Sequence, residues 1–485
     1  MMMSMFSSVS GLRAHQTRMD VIGNNIANVN TVGFKGSRST FQEIFSQTSK
    51  GAGSPDEATG RGGTNPMQIG LGTNIDAIDI QMTRGSVQRT DSPTDLSIEG
   101  EGFFIVKGGS SGAYNFTRAG NFTIDRLGNL VTSSGMNVYG WMKYENTDEG
   151  YVFDTQEDIK PLNLYEDEYN LSKRIIAAAK STEAVMSGNL DSTESPLKAA
   201  TTTAADLYGP IADTVNAAGA AGADGIPDAG GKNVSPQFIV PVNVYDELGN
   251  SYKVNVNFWK SQVYTGAAVP GTYDMPPITS WYYTVDGGDN ATTGATLPAS
   301  GFVAFDAKGK LVTTDQTNMN TTPTVTITPN AATGARPFDV KIDLAQLTQY
   351  ADDSSVKPLR VDGYPPGTLV TFSVGSDGIL TGVYDNGRQQ PLGRLGMAVF
   401  ANPSGLAKTG SNLFQSTSNS GEFSRAVTPG SSGAGTIVPG TLEMSNVDLA
   451  KQFTEMIITQ RGFQANSRVM TTSDEILQEL SNMKR

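Results

Sequence analysis

Leu449, Phe453, Met456, Gln460, Phe463, Ser467, Met470, Asp474 and Leu477 recur at alternating spacings of four and three. That is the seam of a long amphipathic helix. Ser445 is its expected N-cap, with Asp448 three residues on as the box partner, and the spacing predicts a helix from about residue 446 to 481. At 1.5 Å per residue such a helix runs about 50 Å, longer than a small domain is wide. A stripe of that length needs a second helix or a neighbouring subunit to cover it. The blander reading is a long surface helix packed on its own domain. The other chain end offers a partner, because Met5, Val9, Leu12, Gln16, Met19, Gly23 and Ile26 follow the same spacing, although Gly23 weakens that helix. Seam residues at both ends favour pairing of the ends.

Between the ends the period drops to two. Tyr252, Val254, Val256 and Phe258 alternate with Lys253, Asn255 and Asn257, and follow the run Phe238–Tyr245 across Asp246-Glu247-Leu248-Gly249-Asn250. This predicts a β-hairpin. Similar strands are predicted at 103–106, 281–285, 302–305, 324–328, 368–374, 379–384 and 397–400. The 54 glycines and 23 prolines, roughly a sixth of the 485 residues, are scattered without a period, which suits many short turns. A turn of Asp, Gly and then an aliphatic recurs at residues 125–130, 306–311 and 377–380. Each is read as a hairpin turn, since a calcium loop needs more carboxylates.

The fold class expected is mixed: paired terminal α-helices, coiled-coil-like, plus all-β middle domains nested by discontinuous insertion. Residues 1–30 and 442–485 form the terminal helical domain in this reading, and 31–72 and 425–441 a flexible linker region. An inner β domain takes 73–179 and 353–424, and an outer β domain takes 180–352 with a low-complexity insertion near 199–233. Enrichment in Gly, Ser and Thr over 46–72 and 416–440 marks the connectors.

Chemistry is constrained mostly by what is missing. With no Cys and one His, His15, there is no disulfide, thiolate nucleophile, Fe–S cluster or ordinary Cys/His zinc site. His15 is expected on a helix surface. A balance of 35 Lys and Arg against 48 Asp and Glu, net −13, argues against a nucleic-acid binder and against an anionic membrane surface. The acidity concentrates over 146–230, with 5 basic against 15 acidic residues, as suits a solvated outer surface. The first 38 residues are mildly basic, with Arg13, Arg18, Lys35 and Arg38 against Asp20. No run approaches the roughly 20 apolar residues of a membrane span, and the N-terminal pattern predicts no cleavable signal peptide.

Catalytic patterns find little support. Gly108-Gly109-Ser110-Ser111-Gly112 fits the G-x-S-x-G elbow, but it joins two expected strands and lacks a His partner, so it is read as a hairpin loop. Gly60-Arg61-Gly62-Gly63 does not open a helix after a strand, so phosphate cradling is unsupported. Carboxylate pairs always occur among 48 acids, but glycosidase chemistry needs two facing across a cleft. No enzyme, cofactor or metal site is expected.

Asn24, Asn25, Asn28 and Asn30 crowd the end of the first helix beside Ile22, Ile26 and Val29. Asn is a poor interior helix residue that tolerates the left-handed region and caps free carbonyls. The run therefore predicts a helix end whose amides also bond a neighbour.

From Ser10-Gly11-Leu12 through Asp20-Val21-Ile22-Gly23-Asn24-Asn25-Ile26-Ala27-Asn28 to Gly33-Phe34-Lys35, the chain resembles the opening of the bacterial flagellar rod and hook family. Ser445-Asn446-Val447-Asp448-Leu449-Ala450 and Gln460-Arg461-Gly462-Phe463-Gln464-Ala465-Asn466-Ser467 are similar to that family's closing helix. Residues 96–104, 116–122, 377–382 and 400–406 resemble its inner β domain. The likeness is firm over 1–145 and 355–485 and weaker over 180–352. Rod-type members are expected to be shorter, whereas 238–258 and 302–311 resemble the outer domain of hook-type members.

The resemblance implies the subunit of a curved tubular homopolymer, a universal joint that carries motor torque from rod to filament and encloses an export channel. It implies type III export without a cleaved signal and an extracellular place in the flagellum, and the missing cysteines agree with threading an unfolded chain. Implied partners are further copies of the chain, the distal rod protein, the hook cap, the hook–filament junction protein and the flagellar export apparatus. Nucleic acid and membrane insertion are not implied. Assembly contacts are expected at Leu12, Met19, Ile22, Asn24, Asn25, Ile26, Asn28 and Asn30, and at Leu449, Phe453, Met456, Gln460, Phe463, Asn466, Met470 and Leu477. A Phe463→Asp chain should then stay a monomer with intact β domains. Three other readings stand beside it: a distal rod subunit, which predicts straight polymers; a secreted β-rich adhesin, which predicts an aromatic-lined groove; and a glycosidase.

Overall fold

The computed structural model describes residues 2–55, 60, 62–109, 112–147, 150–167, 171–197, 235–265, 277–286, 299–312 and 320–483. The insertion expected near 199–233 lies outside them, as do Ser110 and Ser111 of the Gly108 loop. The chain divides into two units, Met1–Arg174 with Leu369–Val383 and Gln389–Arg485, and Ile175–Thr368 with Tyr384–Arg388. The second unit reaches beyond the expected 180–352 at both ends.

In the first unit the chain ends form α1 (Met2–Ala27) and α2 (Leu449–Asn482). α2 does not start from Ser445 as its capping pattern predicts. Asp448 is the N-cap, its carboxylate accepting from the amides of Ala450 at 2.9 Å and Lys451 at 3.2 Å. A carboxylate there also meets the positive end of the helix dipole, which a serine hydroxyl does not exploit. Ser445 is instead buried one turn upstream and accepts from Val447 N.

Two antiparallel ribbons follow α1: β1 (Ser37–Glu43) pairs with β4 (Thr73–Ile80), and β2 (Ser46–Lys50) pairs with β3 (Met67–Gly70). The segment Thr436–Pro439 pairs with Leu96–Glu99 and buries Ile437. Within the flexible linker expected at 31–72 and 425–441, the described segments Ser37–Glu43, Ser46–Lys50, Met67–Gly70 and Thr436–Pro439 are thus paired strands. The small-residue composition has another cause there. Ser432 and Gly433 take positive φ in a turn, and Gly435 lies so close to the Glu99 carbonyl that a Cβ does not fit.

The strand Phe103–Lys107 shows how the rest of this unit is built. Phe104 and Val106 point into one core with Leu96, Phe122 and Leu395, while Phe103 and Ile105 point into another with Phe116, Phe400 and Phe414. An unbroken apolar run is what a strand covered on both faces requires. Edge-to-face rings such as Phe116 on Phe400, with centroids 4.7 Å apart, fill the second core.

The second unit is a sandwich of two four-stranded sheets. One runs Thr324–Ile327, Phe338–Tyr350, Glu183–Asp191, Lys357–Val361; the other runs Phe238–Tyr245, Ser251–Tyr264, Ile278–Asp286, Ala299–Asp306. Val240, Val256, Phe258, Trp281 and Tyr283 from one sheet meet Met186, Val340 and Ile342 from the other in a single core. The hairpin register, Phe238 against Phe258 and Tyr245 against Ser251, is set by the Asp246 turn. Asp246 Oδ1 accepts from Leu248 N and Asn250 N, each at 2.9 Å, and Gly249 supplies φ of 88°. Asp125 and Asp306 build the same turn with the amides two and four residues on.

Candidate assembly interface

α1 and α2 run antiparallel. Asn25 Nδ2 donates to Gln452 Oε1 at 3.2 Å near one end, Arg18 pairs with Glu455 at 3.7 Å, and Gly11 faces Asn466 further along. The residues the pair buries are mostly small: Ser8, Gly11 and Ala14 on α1, with Ile22 and Asn25 as larger exceptions, and Thr459 and Ser473 on α2. Their hydroxyls are satisfied within their own helices, Ser8 on Ser4 O at 2.8 Å, Thr459 on Glu455 O and Ser473 on Val469 O, both at 2.7 Å.

Of the expected seam residues, Ile22 and Asn25 are buried, and Leu12, Met19, Ile26, Asn28, Met456, Phe463, Asn466, Met470 and Leu477 are half-buried. Leu449, Phe453 and Gln460 are exposed, as are Asn24 and Asn30. The predicted stripe is thus corrected by a rotation: the side of α2 turned to α1 passes through Gln452, Glu455, Thr459, Gly462 and Asn466. Counting apolar residues selects the large ones, whereas close approach of two helices selects the small ones. The large ones are left outside. Leu449, Phe453, Ile457, Ile458, Val469 and Ile476 are each between 40% and 59% exposed.

Where the chain leaving α1 passes the chain entering α2, side-chain amides bond the backbone. Asn25 Nδ2 donates to Ser37 O at 2.8 Å and its Oδ1 accepts from Ser37 N at 2.9 Å. Asn446 Oδ1 accepts from Gly36 N at 2.8 Å while its Nδ2 donates to Gln81 O at 2.8 Å. Asn412 Nδ2 donates to Val32 O at 3.0 Å. At the end of α1, Asn28 Nδ2 donates to Asn24 O at 2.9 Å. Asn25 and Asn28 thus bond to their own chain.

Beneath these amides lies a buried ion cluster. Glu443 Oε1 accepts from Lys35 Nζ at 2.6 Å and Gly85 N at 3.0 Å, and Glu443 Oε2 accepts from Arg118 at 3.3 Å. Lys35 also donates to Thr83 O and Arg118 to Gly100 O. Burial disfavours both cations and pulls Lys35 and Arg118 below their ordinary ranges, with Glu443 opposing. Burial alone would raise the Glu443 carboxyl, but Lys35 and Arg118 outweigh it and hold Glu443 below the usual carboxylate range. His15 is half-buried rather than on the open surface. Its ring meets Phe41 edge-on at 5.6 Å, and burial together with Arg18 lowers its pKa.

Lys35, Arg118, Glu443, Asn412 and Asn446 were invisible to periodicity. A weak signal existed in Lys35 and Arg118, single charges set among Gly, Ala and Phe.

The helix pair is made from both chain ends and leaves large apolar side chains exposed, and β units are inserted between those ends. Residues 5–35 match the family described as flagella basal body rod protein, and 97–161 match the flagellar hook protein FlgE/F/G D1 domain. Residues 235–364 match the flagellar basal body protein FlaE D2 domain, and 438–483 the flagellar basal body rod FlgEFG protein C-terminal family. The flagellar hook protein FlgE of Treponema pallidum is 36% identical over 518 residues, covering 100% of both chains. That of Borreliella burgdorferi is 38% identical over 506 residues, again covering 100% of both. That of Salmonella typhimurium is 32% identical, covering 99% of this chain and 100% of the relative. The chain belongs to the flagellar hook protein family and is a structural subunit of the flagellar hook.

Proposed function

We propose that this subunit builds a curved tube in which the terminal helices lie innermost, lining an export channel, and that the tube is a universal joint carrying torque from rod to filament. The observation that supports the reading is the set of large apolar side chains left exposed on α2. A second copy of the chain has the same need, and heterologous contacts that do not close produce a filament. Torque is carried from the helix pair into the β region of the first unit through the Lys35, Arg118 and Glu443 cluster and the amides above it. Bending suits many small polar contacts between neighbouring copies along the tube. The chain is read as non-catalytic, in keeping with hook relatives. Its assembly contacts are Leu449, Phe453, Ile457 and Ile458 facing neighbouring copies, with Leu12, Met19, Ile22, Ile26, Met456, Phe463, Met470 and Leu477 closing the pair.

The same reading takes the subunit across the cytoplasmic membrane unfolded, by the flagellar export apparatus, without a cleaved signal. Its end-on partners are then the distal rod protein, the hook cap and the hook–filament junction protein. Expression in motile cells deleted for their own hook gene tests this. Curved tubes with the chain ends innermost are expected by electron cryomicroscopy. Straight tubes favour a distal rod subunit, and a monomer displayed on a surface favours an adhesin.

A further inference from the structure

We propose that two reciprocal glycine seats, Gly462 receiving His15 and Gly11 receiving Asn466, lock the register of the terminal helix pair; the inference rests on the hook reading above. Gly11 and His15 are one turn apart on α1, and Gly462 and Asn466 one turn apart on α2. Because the helices are antiparallel, each glycine faces the large side chain of the other helix. A Cβ on Gly462 would lie 2.8 Å from His15 Cε1 and Nε2, and a Cβ on Gly11 would lie 2.8 Å from Asn466 Nδ2. Glycine weakens a helix interior, and neither residue has a positive φ that would call for it. Gly23, in the same α1, has nothing within 4 Å and is the internal control.

The His15 ring has a neighbour on β1 that limits where it can move. It rests against Phe41 of β1, and the Arg18 guanidinium covers the same Phe41 ring at 5.4 Å. A slip of one helical turn in one direction sets His15 against Asn466; in the other it sets His15 near Ile458 and Asn466 near Ser7. Every such position carries a Cβ, so the nearest alternative packings are refused by shape. Slippage by one turn is the natural failure of packed helices under axial load, and a joint that carries torque must resist it.

Partner-specific rescue tests the lock in the hook-deleted cells described above. Gly462→Ala and Gly11→Ala are each expected to lower the number of hooks, because the seated ring or amide must move, while Gly23→Ala keeps it unchanged. His15→Ala should restore hooks to Gly462→Ala but not to Gly11→Ala, and Asn466→Ala the reverse. The same pattern is expected as helical circular dichroism of the purified full-length variants. Full hooks in either single variant, or rescue by the wrong partner, overturns the lock, as does absence of specific rescue in both measurements. A wild-type chain that builds no hooks overturns the hook reading instead, and circular dichroism still decides the lock.

Discussion

The sandwich of the second unit closes over Phe258, Trp281, Tyr283 and Phe305, whereas the helix pair closes over Ser8, Gly11, Ala14, Thr459 and Ser473 and turns Phe453, Ile457 and Ile458 outward. Each large side chain taken out of water stabilises by about 1.5–3 kcal/mol, so the sandwich holds itself together. Two helices of 26 and 34 residues with small residues between them have no such core. A neighbour covering the outer face would add to the stability the pair has from its own contacts, and such a contribution rises with the concentration of other copies. The contrast separates the two tasks of a polymer subunit: a body that folds alone, and ends whose stability is shared with neighbours.

The largest effect expected is from Phe453→Asp, which should abolish polymer while leaving urea unfolding of the β units unchanged; polymer formed by this variant would remove the outward face from the assembly contacts. Trp281→Ala should cost the second unit about 3–5 kcal/mol, measured by denaturant midpoint, and leave the helix pair untouched. Glu443→Ala should cost the first unit about 3–5 kcal/mol, because Lys35 and Arg118 are left as uncompensated buried charges. A cost no greater than that of a surface ion pair would break the view that this cluster ties helices to sheet. Asn25→Ala removes an acceptor and donor pair from buried backbone and should cost about 1–3 kcal/mol.

The smallest effect concerns pH. His15 has a lowered pKa, so the stability linked to its neutral form is present above about pH 6.5 and is lost as pH falls through the lower folded value. It faces Arg18 on its own helix, with Glu455 of α2 paired to that arginine, and the uncharged Gly462 and Phe41 on the elements packed against it. Glu443 adds a later step of the same sign, lost only as pH falls below the ordinary carboxylate range. Helical content followed from pH 8 to 4 should therefore fall first near the His15 range, and His15→Gln should flatten that first step alone.

The class of the two terminal helices and of the strands with strict alternation was legible in the residues. Alternation at Tyr252, Val254, Val256 and Phe258 predicts a strand because neighbouring side chains point to opposite faces, and the Asp246 and Gly249 turn follows from bonds within five residues. Both terminal helices follow from a four-and-three spacing in the same local way. The site was less legible. Periodicity located Ile22, Met456 and Phe463 but placed Leu449, Phe453 and Gln460 on the covered side, because a repeat reveals that a stripe exists and not which edge of it a partner occupies.

By itself, then, the sequence determined what is settled within a few residues: two long helices at the ends, all-β units between them, Asp-anchored turns, and a chemistry without thiols. Tertiary structure alone decided the pairing of ribbons where Gly and Ser predicted a loose connector, the choice of Asp448 over Ser445 as the cap, the glycine seats, and the bond from Lys35 to Glu443 across 408 positions. The physical reason is range. Hydrogen bonding within a turn and alternation along a strand act between neighbours, whereas burial of a charge or seating of a side chain on a glycine depends on which distant segment arrives opposite.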